Sequence, residues 1–184
     1  MVGWIILIIV VLLALWVMAA YNSLVTQKKR VENSWSQIDV QLKRRSDLIP
    51  NLVNAVKGYM KFEQDTLEKV MAARAKALGA KDQHERMEAE GEVSGFLGRL
   101  LAVVENYPDL KANQNVMKLQ EELTNTENKI SYSRQFYNDM TMKYNTAIEV
   151  FPSNIIANLF KFKAFEFFTI PEEAKETPKV DLNF

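Results

Sequence analysis

RRSDLIPNLVNAVKGYM, Arg44–Met60, sets two arginines before an apolar stripe at helical spacing, with a proline inside the pattern. A basic nucleic-acid patch, a hinge between two helices and one strip of a long helical rod are all candidates. The surrounding register decides between them. Leu24, Val31, Ile38, Leu52 and Tyr59 fall in one seven-residue register, which Arg45 interrupts. Trp35, Leu42, Ile49 and Val56 fill the register four positions on. Together they make an apolar stripe about 100° wide on a helix. It continues through Met60, Leu67, Val70, Met71 and Leu78 until LGAKDQ breaks it. The register does not slip at Pro50, so the proline predicts a bend in one continuous element rather than a new start.

Composition narrows the function classes. The chain has 184 residues, with 23 basic and 23 acidic side chains, one histidine and no cysteine. A neutral balance argues against a nucleic-acid binder. Without cysteine there are no disulfides, thiolate zinc sites or thiol nucleophiles. His84 stands alone in KDQHERMEAE, which reads as a solvated helix start, and one imidazole falls short of the usual zinc ligand sets. No metal or cofactor is expected.

Val2–Ala20 is an uncharged apolar run, VGWIILIIVVLLALWVMAA. As a helix it spans roughly 28 Å, close to the hydrocarbon thickness of a bilayer. Trp4, Trp16 and Tyr21 sit near its ends, where amphipathic rings prefer the interface. A cleaved signal peptide is the rival reading, with Val17 and Ala19 as a small-residue site. The absence of a basic leader and the length of the run favour a retained anchor over 1–22. Lys28, Lys29 and Arg30 follow the run, and then Lys43, Arg44 and Arg45. The positive-inside rule therefore predicts a single-pass protein with its N-terminus outside and the rest cytoplasmic.

Residues 23–168 are expected to form one bundle domain. A second helix is predicted from His84 to Asn106, ending at NYPD. Its Gly91, Gly95 and Gly98, with Ala89, Ser94 and Ala102, predict a smooth face for close approach of a neighbouring helix. A third helix is predicted from Pro108, where Val116, Leu123, Ile130, Tyr137, Tyr144 and Phe151 share a heptad register. FPSN ends it, and a short fourth helix runs from Ser153 to about Phe162. IPEEAKETPKVDLNF predicts an extended tail over 169–184. The fold class is all-α: a transmembrane helix continuing into an elongated antiparallel bundle of about four helices.

Arg45 occupies an apolar register and cannot shed its charge, so its burial demands a carboxylate or several carbonyls. If the first and third helices are antiparallel with their stripes aligned, facing residue numbers sum to about 172. Trp35 then faces Tyr137, Leu42 faces Ile130, and Arg45 faces Glu127. A polar layer of Arg45, Glu127, Asn128 and Arg134 is expected to fix helix register. The repeated Tyr-Asn of YNDMTMKYN reads as two core tyrosines with register-setting asparagines, the alternative being ligand recognition. Phe160, Lys161, Phe162, Lys163, Phe165, Phe167 and Phe168 form an aromatic, basic segment expected to lie beside the bilayer. Self-association, membrane contact and packing on the domain compete for it.

RRSDLIPNLVNAVKGYMKFE, Arg74 in VMAARA, ENYPDLKANQNVMKLQEELTNTENKI and SRQFYNDMTMKYNTAIEVFP together resemble the LemA family of bacterial single-span membrane proteins. The resemblance covers nearly the whole chain. The tail departs from it, ending in Val180 and Phe184 with looser spacing. The resemblance implies a helical bundle on an N-terminal anchor in a bacterial cell membrane, with the bulk cytoplasmic. It implies no catalytic residue, and some members are associated with magnetosome membranes and membrane shaping.

These readings converge on a membrane-anchored, non-enzymatic scaffold that forms homo-oligomers and organises or shapes the membrane. Its expected partners are the lipid bilayer, further copies of itself and a protein partner, not nucleic acid. The alternative is a membrane-tethered adaptor that recruits a partner such as a protease or envelope-stress factor. A hydrolase would instead depend on Glu127 or Glu63.

Overall fold

The computed structural model describes residues 1–60 and 63–169. They form six helices: α1 (Val2–Val56), α2 (Gln64–Gly79), α3 (Gln83–Val104), α4 (Pro108–Ala112), α5 (Gln114–Glu149) and α6 (Ser153–Leu159). No strand occurs among the described residues, and the class is all-α. The tail expected over 169–184 lies outside the described residues, Thr169 excepted.

Two units divide the described chain, and α1 and α5 contribute residues to both. One unit comprises Met1–Ile38 with Ser133–Phe167; among the described residues the other holds Asp39–Tyr132 with Phe168 and Thr169. Within each unit the two long helices run antiparallel in the predicted register. In the first, Trp35 meets Tyr137 with ring centroids 5.6 Å apart, and Leu24 packs with Ala147 and Ile148. In the second, Arg45 meets Glu127. The heptads explain why: Leu24, Val31, Ile38, Arg45 and Leu52 on α1 are all buried, as are Val116, Leu123, Ile130, Tyr137 and Tyr144 on α5.

α1 is continuous through Pro50, as its unbroken register predicts. It stops at Val56, however, short of the predicted run to Leu78. Gly58 follows in a turn where Tyr59 and Met60 both donate to the Val56 carbonyl, at 2.9 and 3.0 Å. Glycine costs about 1 kcal/mol of helix propensity, which favours a break there. Met60, Leu67, Val70, Ala73 and Ala77 then bury their apolar stripe against α3 and the end of α1. Tyr59, displaced from the helical register, is exposed.

One further boundary falls where it is predicted and one does not. Asp82 caps α3 by accepting from the Glu85 amide at 2.8 Å, while the Glu85 carboxylate receives the Lys81 N–H at 2.8 Å, a reciprocal capping arrangement. The helix predicted from Pro108 is interrupted at Asn113, whose Oδ1 accepts from the amides of Asn115 and Val116 at 3.0 and 3.4 Å. Asn113 thereby starts α5 and leaves α4 as a single turn and a half.

The glycine face is not used as expected. Ala89, Val93, Leu97, Leu100 and Val104 are the buried side of α3. Gly95 and Gly98 point away from them, and a Cβ at either would meet nothing within 4 Å. The small residues therefore divide between two sides of the helix instead of forming one packed face.

Candidate functional site

The second unit is organised around Arg45, which is 0% exposed. A guanidinium carries five donors and stays charged, so its burial requires acceptors on several sides. Nη1 donates to both oxygens of Glu127, at 2.9 and 2.7 Å, and lies 2.6 Å from Ser94 Oγ. Nη2 donates to the Glu90 carbonyl at 3.0 Å and to the Glu90 carboxylate. The second oxygen of that carboxylate sits 2.8 Å from Arg86 Nε. Ser94 Oγ in turn donates to Glu127 at 2.7 Å.

Arg45 and Arg86 thus balance Glu90 and Glu127. Each carboxylate is held by a guanidinium. Buried ion pairs of this kind often add little net stability.

Arg86 extends the network to α2, donating from Nη1 to the Ala77 carbonyl at 3.0 Å. Its bond satisfies an acceptor in the last turn of that helix. A second arginine compensates for Pro50. Proline has no N–H, so the carbonyl four residues earlier, that of Ser46, loses its helical partner. Arg74 Nε donates to this carbonyl at 2.6 Å. The gap in the α1 ladder is therefore the docking point for α2.

Of the four residues expected in the polar layer, the structure brings Arg45 and Glu127 together. Asn128 stands exposed beside a shallow surface depression with Arg44, Glu122 and Tyr132, outside the layer because it lies on the outer side of α5. Arg134 is half-buried and belongs to the first unit. Glu90 and Ser94 are the members that sequence reasoning missed. Glu90 precedes Val93, Leu97, Leu100 and Val104 on the core stripe of α3, so it carries the same signal that singled out Arg45: a charge in an apolar register.

The first unit holds the aromatic segment as far as Phe167. After α6 the chain runs without helix through residues 162–169 along α5. Tyr144 Oη donates to the Lys163 carbonyl at 3.1 Å, and Tyr137 Oη donates to the Glu166 carbonyl at 2.9 Å. Asn145 grips Phe165 at both main-chain groups: its Nδ2 donates to the carbonyl at 2.9 Å, and its Oδ1 accepts the amide at 3.0 Å. The match is geometric. Seven residues of helix rise about 10.5 Å, and three residues of extended chain cover about 10 Å. A Tyr-Asn repeated at seven can therefore hold every third residue of an antiparallel strap. Burial raises the Tyr144 pKa above the ordinary phenol value, with the Glu32 charge a smaller cause in the same direction.

Within the strap, Phe162 and Phe165 are half-buried and Phe168 is buried, whereas Phe160, Lys161, Lys163 and Phe167 are exposed. Phe165 meets the Tyr144 ring at 5.3 Å. Tyr21 meets the rings of Phe160 and Phe162 at 4.6 and 5.8 Å, whereas Trp4 and Trp16 project outward from α1.

Fold and site define a class: an all-α, membrane-associated chain whose first helix is long and apolar enough to cross a bilayer and whose helices enclose a buried cluster of paired charges. Its sequence places it more narrowly. The chain belongs to the LemA family, whose profile matches residues 34–182. It is 26% identical to Protein LemA of Metamycoplasma hominis, over 88% of this chain and 73% of that one. It is 25% identical to Magnetosome protein MamQ of Magnetospirillum gryphiswaldense, over 86% of this chain and 67% of the other. Magnetosome protein MamQ 2 of Paramagnetospirillum magneticum is 26% identical over the same shares.

Proposed function

We propose that this chain is a membrane-anchored, non-enzymatic scaffold that self-assembles and so organises or shapes the membrane that holds it. In this reading α1 crosses the bilayer once. Lys28, Lys29 and Arg30 keep the bulk of the chain on the cytoplasmic side of a bacterial cell membrane, with the N-terminus outside. One observation carries the assembly step. On the outward side of α5, Tyr132 and Phe136, one turn apart, are 74% and 45% exposed. A solvated helix normally carries polar side chains there, and exposed aromatic side chains are enriched in protein contacts. Anchoring every copy in one plane raises the local concentration, so weak lateral contacts become stable through multiplicity.

The test is the mass of the detergent-solubilised full-length protein. A multi-subunit assembly is expected for the wild type, and smaller species for Tyr132→Lys/Phe136→Lys. A monomer or dimer across a broad concentration range overturns the scaffold. A stoichiometric protein partner without self-association replaces it with the adaptor reading.

A further inference from the structure

We infer that the uncharged corner Val150–Phe160 is seated in the membrane interface beside α1, and that the lysines just above it hold the headgroup of an anionic phospholipid. The inference rests on the membrane-spanning reading of α1 and is independent of self-assembly.

Packing sets the depth of the corner. Ile156 and Ala157 of α6 cluster with Leu24, Val17 and Ala20 of α1, and the last two lie inside the uncharged run. α6 also exposes apolar side chains away from α1, beside the uncharged Ser153, Asn154 and Asn158. Ile155 and Leu159, one turn apart, face outward, and Val150, Phe151 and Phe160 flank them. These five side chains are between 48% and 79% exposed. No charge occurs from Val150 to Phe160. An exposed apolar patch of this kind marks an interaction surface. Tyr21, in tilted and edge-on contact with Phe160 and Phe162, sits where interfacial aromatic rings collect.

Charge begins where the corner ends. Lys28, Lys29, Lys161 and Lys163 line one open groove with Glu32 and Tyr21. Glu32 is engaged by Lys29 at 2.6 Å. Among the described residues no ion pair involves Lys28, Lys161 or Lys163. Helical side chains lean toward the N-terminus, so Lys28 and Lys29 lean back toward the membrane end of α1.

Lys161 is held in the left-handed region, with φ 56°. It closes α6 with two backbone bonds, Phe162 N–H to Ala157 carbonyl at 2.9 Å and Lys161 N–H to Asn158 carbonyl at 3.2 Å. Glycine is the usual occupant of that capping position. A lysine there is unfavourable for the backbone, and a headgroup phosphate supplies the reason for its side chain. A phospholipid fits both halves of the surface, with acyl chains against Phe151, Ile155 and Leu159 and its phosphate among the lysines. Each lysine at an anionic surface contributes roughly fivefold in binding.

The chain has no cysteine, so single nitroxides at Leu12→Cys, Leu159→Cys and Asp139→Cys can report depth in full-length protein. The host is vesicles of mixed phosphatidylcholine and phosphatidylglycerol. Oxygen-rich relaxation is expected at positions 12 and 159, and relaxation by aqueous nickel at 139. A water-like signal at 12 refutes the spanning reading itself. Lipid-like 12 with water-like 159 overturns only the corner.

Native mass spectrometry then counts retained lipid. Wild type is expected to keep phosphatidylglycerol in preference, and Lys161→Gln/Lys163→Gln to lose roughly 25-fold of that preference. Lys43→Gln/Lys57→Gln, which lie outside the groove, are expected to lose little. Lys161→Gly is expected to raise thermal stability and lower selectivity together. Equal retention of the two lipids overturns the headgroup site, and loss of the preference in excess inorganic phosphate reassigns it to soluble anions.

Discussion

Replacing Arg45 with methionine is the most direct test of the buried layer. The substitution removes a guanidinium that bridges Glu90, Ser94 and Glu127. It leaves Glu90, which is 3% exposed, with Arg86 alone. Removing one partner of a buried pair typically costs about 3–5 kcal/mol, because the remaining charge is uncompensated. Two features hold the effect near the lower end: Arg86 still neutralises Glu90, and the Glu127 side chain is 36% exposed.

About 3 kcal/mol is therefore expected, a fall of roughly 6–12 °C in melting temperature for a domain of this size. Arg45→Met/Glu90→Met removes both charges and fills the space with apolar atoms. It is expected within about 1 kcal/mol of wild type, since such replacements are often neutral. Thermal and urea unfolding of the detergent-solubilised protein, followed by circular dichroism, measures the cycle. A single-variant cost below about 1 kcal/mol, or a double variant that simply adds the single effects, refutes the idea that the layer is an energetically coupled unit. Arg45→Glu with Glu127→Arg is expected to recover part of either single loss.

Four further outcomes are expected. Arg74→Ala is expected to cost about 1.5–3 kcal/mol in wild type, the range for a charged hydrogen bond. In a Pro50→Ala background, where a backbone N–H again reaches the Ser46 carbonyl, the same change is expected to cost less in the same unfolding assay. Asn145→Ala removes both bonds to Phe165 and is expected to weaken the strap by about 1–3 kcal/mol, read as faster tryptic cleavage after Lys161 and Lys163. Because burial raises the folded pKa of Tyr144, its contribution is whole below the unfolded value of about 10 and declines as pH rises through the folded one. Melting temperatures of wild type and Tyr144→Phe compared between pH 8 and 11 are expected to converge at the alkaline end. Gly95→Ala and Gly98→Ala, entering open space on a helix, are each expected to stabilise by about 0.5–1 kcal/mol.

The large elements were legible because they obey one periodicity. Heptads on α1 and α5 are set by burial, and burial of one side of a helix leaves a trace at every seventh position. The pairings of Trp35 with Tyr137 and Arg45 with Glu127 followed from aligning those stripes. What escaped reading was local or came from a third helix. The turn after Val56 lies within an apolar stripe that continues in register, so periodicity alone carries no sign of the reversal. Asn113 caps α5 with one side-chain oxygen, a signal no longer than a residue. Ser94 was read as part of a smooth face, yet it hydrogen-bonds Arg45 and Glu127, because a small polar residue gives no hint of its partner. The tyrosine-asparagine repeat was seen and assigned to the core. Its second use, gripping main-chain atoms of Lys163, Phe165 and Glu166, leaves no mark on the side chains it holds.

That manner of gripping has an evolutionary consequence. The four bonds that Tyr137, Tyr144 and Asn145 make to residues 163–166 end on main-chain atoms of that segment. These four bonds place no demand on the side chains they fasten, and the Phe165 ring adds a contact with Tyr144. A proline at position 165 is barred, because the bound amide would vanish. Ala164, whose side chain takes no part in these bonds, can be exchanged without loosening the ribbon.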